Sequence, residues 1–198
     1  MNIYEATVLT SLFAQHFKAD EKPELKLKIL DCGCGTGRCG SLLKPFSSHL
    51  CGIDLFESAL DQARQRELYN RLVIGDISHR LPFGDSFFDC SVAFEVIEHL
   101  VKKDGENMLK ELERVTNTLI ILSTPNTWMP KNDAVERYGG NPHMAHRSKW
   151  KTSDFKKLNY TVRGLGLKWG RSIGMSALLT WRLPWIAKKL FVWKVLNG

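Results

Sequence analysis

The stretch Lys28-Ile-Leu-Asp-Cys-Gly-Cys-Gly-Thr-Gly-Arg38 limits the fold of this chain more than any other part of it. A short apolar strand runs into a carboxylate, Asp31, and then into glycines at alternate positions, Gly33, Gly35 and Gly37. Alternating glycines let the backbone turn with φ > 0 and leave no Cβ between it and a flat or chain-like ligand. A strand that ends in such a turn opens a strand–turn–helix unit, and the rest of the chain repeats the alternation. Apolar runs at Leu27–Leu30, Leu50–Ile53, Leu72–Ile74, Phe88–Phe94, Thr118–Leu122 and Tyr160–Val162 read as strands. Leu9, Phe13 and Phe17 line one face of an opening helix, and Met108, Leu112 and Val115 do so for a helix after the fourth strand. This order predicts α/β architecture with a parallel sheet covered on both faces.

With 198 residues, 43% of them apolar, the chain has enough to build one sizeable core, so a single domain over residues 1–198 is expected. No run approaches the eighteen or so apolar residues that span a bilayer, and Met1 to Lys18 lacks the features of a secretory signal. A cytoplasmic protein is the expectation. Cys32, Cys34, Cys39, Cys51 and Cys90 form no C-x-x-C pair, which predicts reduced, partly buried thiols rather than a disulfide framework or a zinc site. The net charge of +7 suits an anionic partner such as nucleic acid or a phospholipid surface, and much of it lies beyond Lys149. Internal repeats and low-complexity tracts are absent.

Two ligands compete for the glycine turn. Gly35, Gly37 and Gly40 fit G-x-G-x-x-G, and Asp54 stands where a dinucleotide fold wants an acid for the ribose. Asp31 discriminates between them. A carboxylate there repels a pyrophosphate but favours the amino group and cationic sulfonium of S-adenosylmethionine.

Asp31-Cys-Gly-Cys-Gly-Thr-Gly37 resembles motif I of the class I S-adenosylmethionine-dependent methyltransferases, and three later landmarks follow in the family's order. Cys51-Gly-Ile-Asp54 resembles the second strand, whose acid holds the ribose hydroxyls, with Leu55 next to the adenine. Gly75-Asp76-Ile77 resembles the segment after the third strand that meets the adenine amino group and ring. Phe87 to Leu100 resembles the fourth strand and its exit, with Phe94 and Glu95 at the pocket floor. Alone, Asp54 reads equally as a helix cap and Asp76 as a turn residue; their joint order carries the likeness.

The resemblance covers residues 27–122 well, as a cofactor-binding core, and reaches more loosely to 167. It implies a three-layer sandwich around a mostly parallel seven-stranded sheet with an antiparallel last strand. It also implies S-adenosylmethionine held by Asp31, Gly33, Gly35, Gly37, Asp54, Leu55, Asp76, Ile77, Phe94 and Glu95. Small single-domain relatives imply a small-molecule or lipid-like acceptor. A cofactor-binding module without catalysis is the contrasting outcome.

Methyl transfer from a sulfonium is an in-line displacement, so alignment and desolvation supply much of the catalysis and no fixed catalytic signature is expected. His99, His143 and His146 are the candidates for taking a proton from the acceptor. Glu95, Glu98 and His99, spaced i, i+3 and i+4, come together on a helical turn and with His143 or His146 form a possible divalent-cation site. That set, with Ser123-Thr-Pro-Asn126 and Ala145-His-Arg-Ser-Lys-Trp150, resembles the metal-dependent methyltransferases of the 3′-terminal 2′-hydroxyl of small RNAs. Glu-Val-Ile-Glu-His-Leu also occurs in metal-free relatives, so no metal is assigned and the RNA reading stands as the alternative.

The segment 124–150 is too long for an ordinary connection and is expected to cap the site with Trp128, Tyr138, His143, His146 and Trp150. In the basic, aromatic segment 174–198, Pro184 separates a short helix near Ser176–Arg182 from a strand at Leu190–Val195, which the resembling fold inserts antiparallel beside the sixth strand. Trp181, Leu183, Trp185 and Ile186 suit core or dimer packing, a membrane surface beside Arg182, Lys188 and Lys189, or a nucleic-acid platform.

Overall fold

The central apolar runs become strands because both of their faces find cover, while the edge run Leu72–Ile74 stays partly exposed. The computed structural model describes residues 3–17, 25–126, 140–167 and 187–196. Among these, seven strands form one sheet: β1 (Leu27–Cys32), β2 (Ser47–Asp54), β3 (Arg71–Ile74), β4 (Phe88–Phe94), β5 (Thr116–Pro125), β6 (Thr161–Leu167) and β7 (Ala187–Val195). Their order is β3-β2-β1-β4-β5-β7-β6. β1 to β5 pair in parallel, and β7 lies between β5 and β6, antiparallel to both. The expected three-layer sandwich with its antiparallel last strand is therefore the observed fold.

Alternation along each strand divides the core in two. Leu27 and Ile29 of β1, with Leu119 and Ile121 of β5, pack against Leu9, Leu12 and Phe13 of α1 (Ile3–His16). Leu30, Cys32, Ile120 and Leu122 face the opposite way, onto Met108, Leu112 and Val115 of α4 (Lys102–Val115). Strands buried on both faces read as continuous apolar runs, which is why the sequence marks them. Two shorter helices follow the first turns: α2 (Gly40–Leu43) after the glycines, and α3 (Glu57–Arg64), which buries Ala59, Leu60 and Ala63. Arg114 fixes the approach to β4 by donating to the Leu81 and Phe83 carbonyls and to the carboxylates of Asp85 and Glu111.

The end of the long connection is part of the core. Trp150, expected at the mouth of the site, is 1% exposed. Its ring stacks on Phe155 of α5 (Thr152–Lys157), with centroids 5.1 Å apart, and lies on Gly105 of α4, where an added Cβ would meet Trp150 Cζ2 at 2.5 Å. Lys102 Nζ sits 3.5 Å from the Trp150 ring centroid and 2.7 Å from Asp154 Oδ2. An indole this large gains more from burial than from a place at the rim, and Gly105 supplies the space.

None of the five cysteines is joined in a disulfide. Burial pushes the thiols of Cys32, Cys34, Cys51 and Cys90 up, Cys51 to about 11, so these four behave as small apolar packing groups. Among the described residues no helix is long and apolar enough to cross a membrane. Trp128, Tyr138, Trp181, Leu183, Trp185, Ile186 and the helix expected at Ser176–Arg182 lie outside the described residues.

Candidate cofactor and acceptor site

Parallel strands end together, and the chain reverses strand order between β1 and β4, which opens a crevice at their carboxyl ends. A cavity of about 840 Å³ occupies it. One half is lined by Gly33, Cys34, Gly35, Asp54, Leu55, Asp76 and Ile77; the other by Glu95, Glu98, His99, Ser123, Asn141, His143, His146, Arg147 and Lys189.

The first half is built from backbone turns tied together by carboxylates. Gly33, Gly35 and Gly37 all have positive φ, at 73°, 51° and 76°. Asp54, at the end of β2, accepts from the Gly35 N–H through Oδ2 at 2.8 Å and from the Phe56 N–H through Oδ1 at 2.9 Å. Each oxygen keeps a lone pair for a ligand hydroxyl. Asp76 accepts from the N–H and Oγ of Ser78, and its Oδ2 lies 3.2 Å from His79 Nδ1. Burial alone would raise its pKa; the hydrogen bonds from Ser78 and the neighbouring His79 reverse that and hold the carboxyl low. Leu55, 42% exposed, and Ile77, 9% exposed, offer apolar surface beside these two acids.

Asp31 and Gly37 are not among the lining residues. Asp31 is buried behind the glycine turn, where its Oδ2 accepts from the Tyr69 hydroxyl at 2.6 Å. The Tyr69 ring explains the glycines that the ligand does not need: a Cβ at Gly37, Gly40 or Gly52 would come within 3.0, 2.8 or 3.0 Å of it. Tyr69 lies in no motif, and no local pattern in the sequence marks it as the partner of Asp31.

Burial raises the Asp31 pKa to about 7 against the Tyr69 hydrogen bond, with Asp54 adding to the rise. The folded chain then holds this proton more tightly than the unfolded one. The contribution of Asp31 to stability is therefore greatest below its ordinary value of 3.8 and declines as pH rises towards 7. Asp31→Asn is expected to flatten that decline by up to about 1.4 kcal/mol per pH unit. Parallel stability curves for wild type and variant between pH 4 and 7 would contradict this.

The second half is polar. Glu95 leaves β4 with φ 57°, a left-handed conformation uncommon outside glycine that costs about 1 kcal/mol or more. Its N–H donates to the Ser123 carbonyl at 2.9 Å, its Oε1 accepts from Ser123 Oγ at 2.9 Å, and its Oε2 lies 3.2 Å from Lys189 Nζ of β7. Glu98, 3% exposed, accepts from Thr124 Oγ1 at 3.0 Å, and burial beside Glu95 pushes its carboxyl well up.

The returning segment is fastened to the 3-10 turn Ile97–His99. The Arg147 and Ser148 N–H groups donate to the Glu98 carbonyl at 2.8 and 3.1 Å, and Ser148 Oγ donates to the Ile97 carbonyl at 3.3 Å while accepting from Trp150 Nε1 at 2.9 Å. These bonds bring His146 to His99, ring centroids 5.1 Å apart. Ligand atoms of Glu98, His99 and His146 all lie within 4.8 Å of one another. His99 Nδ1 is 3.3 Å from the Ala145 carbonyl, and burial lowers its pKa to about 4. Burial lowers that of His146 as well. His143 is exposed at the rim, its N–H donating to Asn141 Oδ1 at 2.9 Å. Of the four ligands expected for a metal, the structure groups Glu98, His99 and His146, while Glu95 turns to Ser123 and Lys189.

A doubly wound sheet with acids at successive strand tips around a glycine turn defines the class: an α/β domain that holds a nucleoside-bearing cofactor. The methyltransferase-domain family matches residues 30–118. The chain is 34% identical over 94 residues to the 18S rRNA (guanine(1575)-N(7))-methyltransferase of Saccharomyces cerevisiae, covering 46% of this chain and 34% of that protein. It is 30% identical over 121 residues to the malonyl-[acyl-carrier protein] O-methyltransferase of Serratia marcescens, covering 59% and 46%. The matched parts span less than half of either relative. The fold is also that of the magnesium protoporphyrin IX methyltransferase from Synechocystis PCC 6803 with bound SAH, at TM-score 0.61 and 16% identity over 100% of this chain and 89% of that one. Over residues 30–118, somewhat under half of its length, the chain is similar to S-adenosylmethionine-dependent methyltransferases, and it has their fold.

Proposed function

We propose that the protein moves the methyl group of S-adenosylmethionine to an oxygen or nitrogen of a polar acceptor. The supporting observation is the division of the cavity: a glycine-and-acid half suited to the cofactor faces a half furnished with Ser123, Glu95, His99, His146 and Lys189. In this reading the Gly33 and Gly35 backbone lies under the methionine part, Asp54 accepts from the ribose, Leu55, Asp76 and Ile77 hold the adenine, and Phe94 and Glu95 form the floor. Asp31 acts from behind the turn as a buried acid rather than by contact. The acceptor lone pair bonds to the methyl carbon as the carbon–sulfur bond breaks, and sulfur keeps that electron pair. The acceptor is a small molecule or a polar group on a larger one; a lipid-like acceptor would meet mostly hydrogen-bonding side chains here.

Loss of the acceptor proton falls to His146, a neutral imidazole facing the cavity. A base with a lowered pKa is already free near neutral pH, so activity is expected to hold level from about pH 7 upward and to fall below 6.5. His146→Gln is expected to lower the plateau by 10²- to 10⁴-fold and to abolish the acid limb. An unchanged pH profile in that variant would remove His146 from the role.

A second reading rests on the grouping of Glu98, His99 and His146. The Ala145 carbonyl 3.3 Å from His99 Nδ1 orients the ring, as backbone carbonyls do for ligand histidines. Those three residues fit a divalent ion, which would bind an acceptor hydroxyl and favour its ionised form, as in a metal-dependent RNA 2′-O-methyltransferase. Chelator-sensitive activity restored by a divalent cation favours this reading; indifference to chelator excludes it.

The decisive experiment incubates the protein with methyl-labelled cofactor and cell extract, then separates lipid, nucleic acid, protein and small metabolites. Label in a polar fraction is expected. Label confined to lipid overturns the acceptor reading, and tight S-adenosylhomocysteine binding with no label anywhere would mark a non-catalytic cofactor-binding module.

A further inference from the structure

The charge of this chain is divided along its length. Residues 149–198 hold 11 of the 28 Lys and Arg but only 1 of the 21 Asp and Glu, so this quarter carries +10 and the first 148 residues −3. The structure shows where part of that excess faces. After His146 the backbone runs as a ribbon without helix or ladder, with Arg147, Lys149 and Lys151 exposed and Ser148 and Trp150 buried between them. Alternation of this kind puts three cations on one outward side, over about 13 Å at extended-chain spacing. Lys156 and Lys157 of α5, both exposed, continue the series. The one acid in the stretch, Asp154, is engaged by Lys102 at 2.7 Å. Lys149, Lys156 and Lys157 form no ion pair among the described residues.

The strip starts at the acceptor half of the cavity, since Arg147 and His146 line it, and leads away from it. Cations that converge on a point hold a small anion; cations set out in a line beyond the cavity suit a ligand that carries its charges in a line. A membrane-binding element would set apolar side chains outward among the cations. Here both large apolar residues between Arg147 and Lys157, Trp150 and Phe155, are buried. Phosphates of a nucleic-acid strand meet each of these conditions.

We infer that residues 147–157 form a phosphate-tracking strip that holds a single-stranded RNA acceptor and delivers one of its nucleotides to the cavity. The inference rests on the methyltransferase reading of the same cavity and narrows its acceptor to a nucleic acid.

The test measures binding of a fluorescently labelled single-stranded RNA of twenty nucleotides to wild type and to the Lys149→Ala, Lys151→Ala, Lys156→Ala, Lys157→Ala variant between 50 and 200 mM KCl. Calorimetry with S-adenosylhomocysteine runs alongside on both. Wild type is expected to bind RNA with a steep salt dependence. The variant is expected to bind at least tenfold more weakly at 100 mM, with the log–log salt slope reduced by about 2 to 3, as loss of four single-strand phosphate contacts requires. Its S-adenosylhomocysteine affinity should stay within twofold of wild type, which also shows that it is folded. Equal RNA binding by both proteins, or no RNA binding by wild type, overturns the strip, as does capture by phosphatidylserine vesicles in place of RNA. Failure of wild type to bind S-adenosylhomocysteine would instead overturn the methyltransferase reading, whatever the RNA result.

Discussion

Asp54→Ala is expected to weaken binding of S-adenosylmethionine and S-adenosylhomocysteine by about 100-fold, about 3 kcal/mol, with the fold intact. Two losses combine in this one side chain. The carboxylate is the acceptor proposed for the ribose, and it also anchors the Gly35 N–H at 2.8 Å and the Phe56 N–H at 2.9 Å. Without it, Gly35 loses the bond that holds its turn at φ 51° and has no packing neighbour to replace it, because nothing lies within 4 Å of its Cβ position. Charge-assisted bonds of this kind contribute roughly 1.5–3 kcal/mol each. Asp54→Asn keeps one acceptor oxygen and should fall between the two, near tenfold. Calorimetric titration with S-adenosylhomocysteine decides the matter, and an alanine variant within threefold of wild type would sink the assignment.

Trp150→Ala is expected to destabilise the fold by about 3–5 kcal/mol, a fall in Tm of roughly 10 °C or more. The indole is buried against Gly105 and Phe155, with Lys102 over its face and its N–H on Ser148 Oγ. The second consequence is functional. Ser148 and Arg147 fasten the ribbon that carries His146, so the variant should lose turnover by more than tenfold while S-adenosylhomocysteine affinity changes by less than threefold. A merely global loss of structure would lower both together. Trp150→Phe keeps most of the packing and should recover most of the stability. Thermal denaturation beside the ratio of turnover to cofactor affinity separates these outcomes.

Most of the fold was legible before the structure because its signals are local. Strand runs such as Leu119–Leu122 are apolar throughout since helices cover both faces of the sheet, and that property is written residue by residue. The strand expected at Leu190–Val195 is the core of Ala187–Val195, found antiparallel as the resemblance implied. Of the residues expected at the cofactor, Gly33, Gly35, Asp54, Leu55, Asp76, Ile77, Phe94 and Glu95 all reach one cavity, because each lies at or just past a strand tip and parallel strands end together. His99 and His146, 47 positions apart, also meet, though their spacing alone does not require it.

What the linear chain determined was the alternation of strands and helices, the glycine turn and the order of acids behind successive strands: one-dimensional patterns set by backbone periodicity and by what a Cβ allows. The tertiary structure alone decided which groups face one another across long separations. It turned Asp31 to Tyr69, drew Lys189 to Glu95 and Thr124 to Glu98, and carried Trp150 into the core. Such pairings depend on sheet register and on which space remains once the large side chains are packed, and neither is a property of any short stretch of sequence.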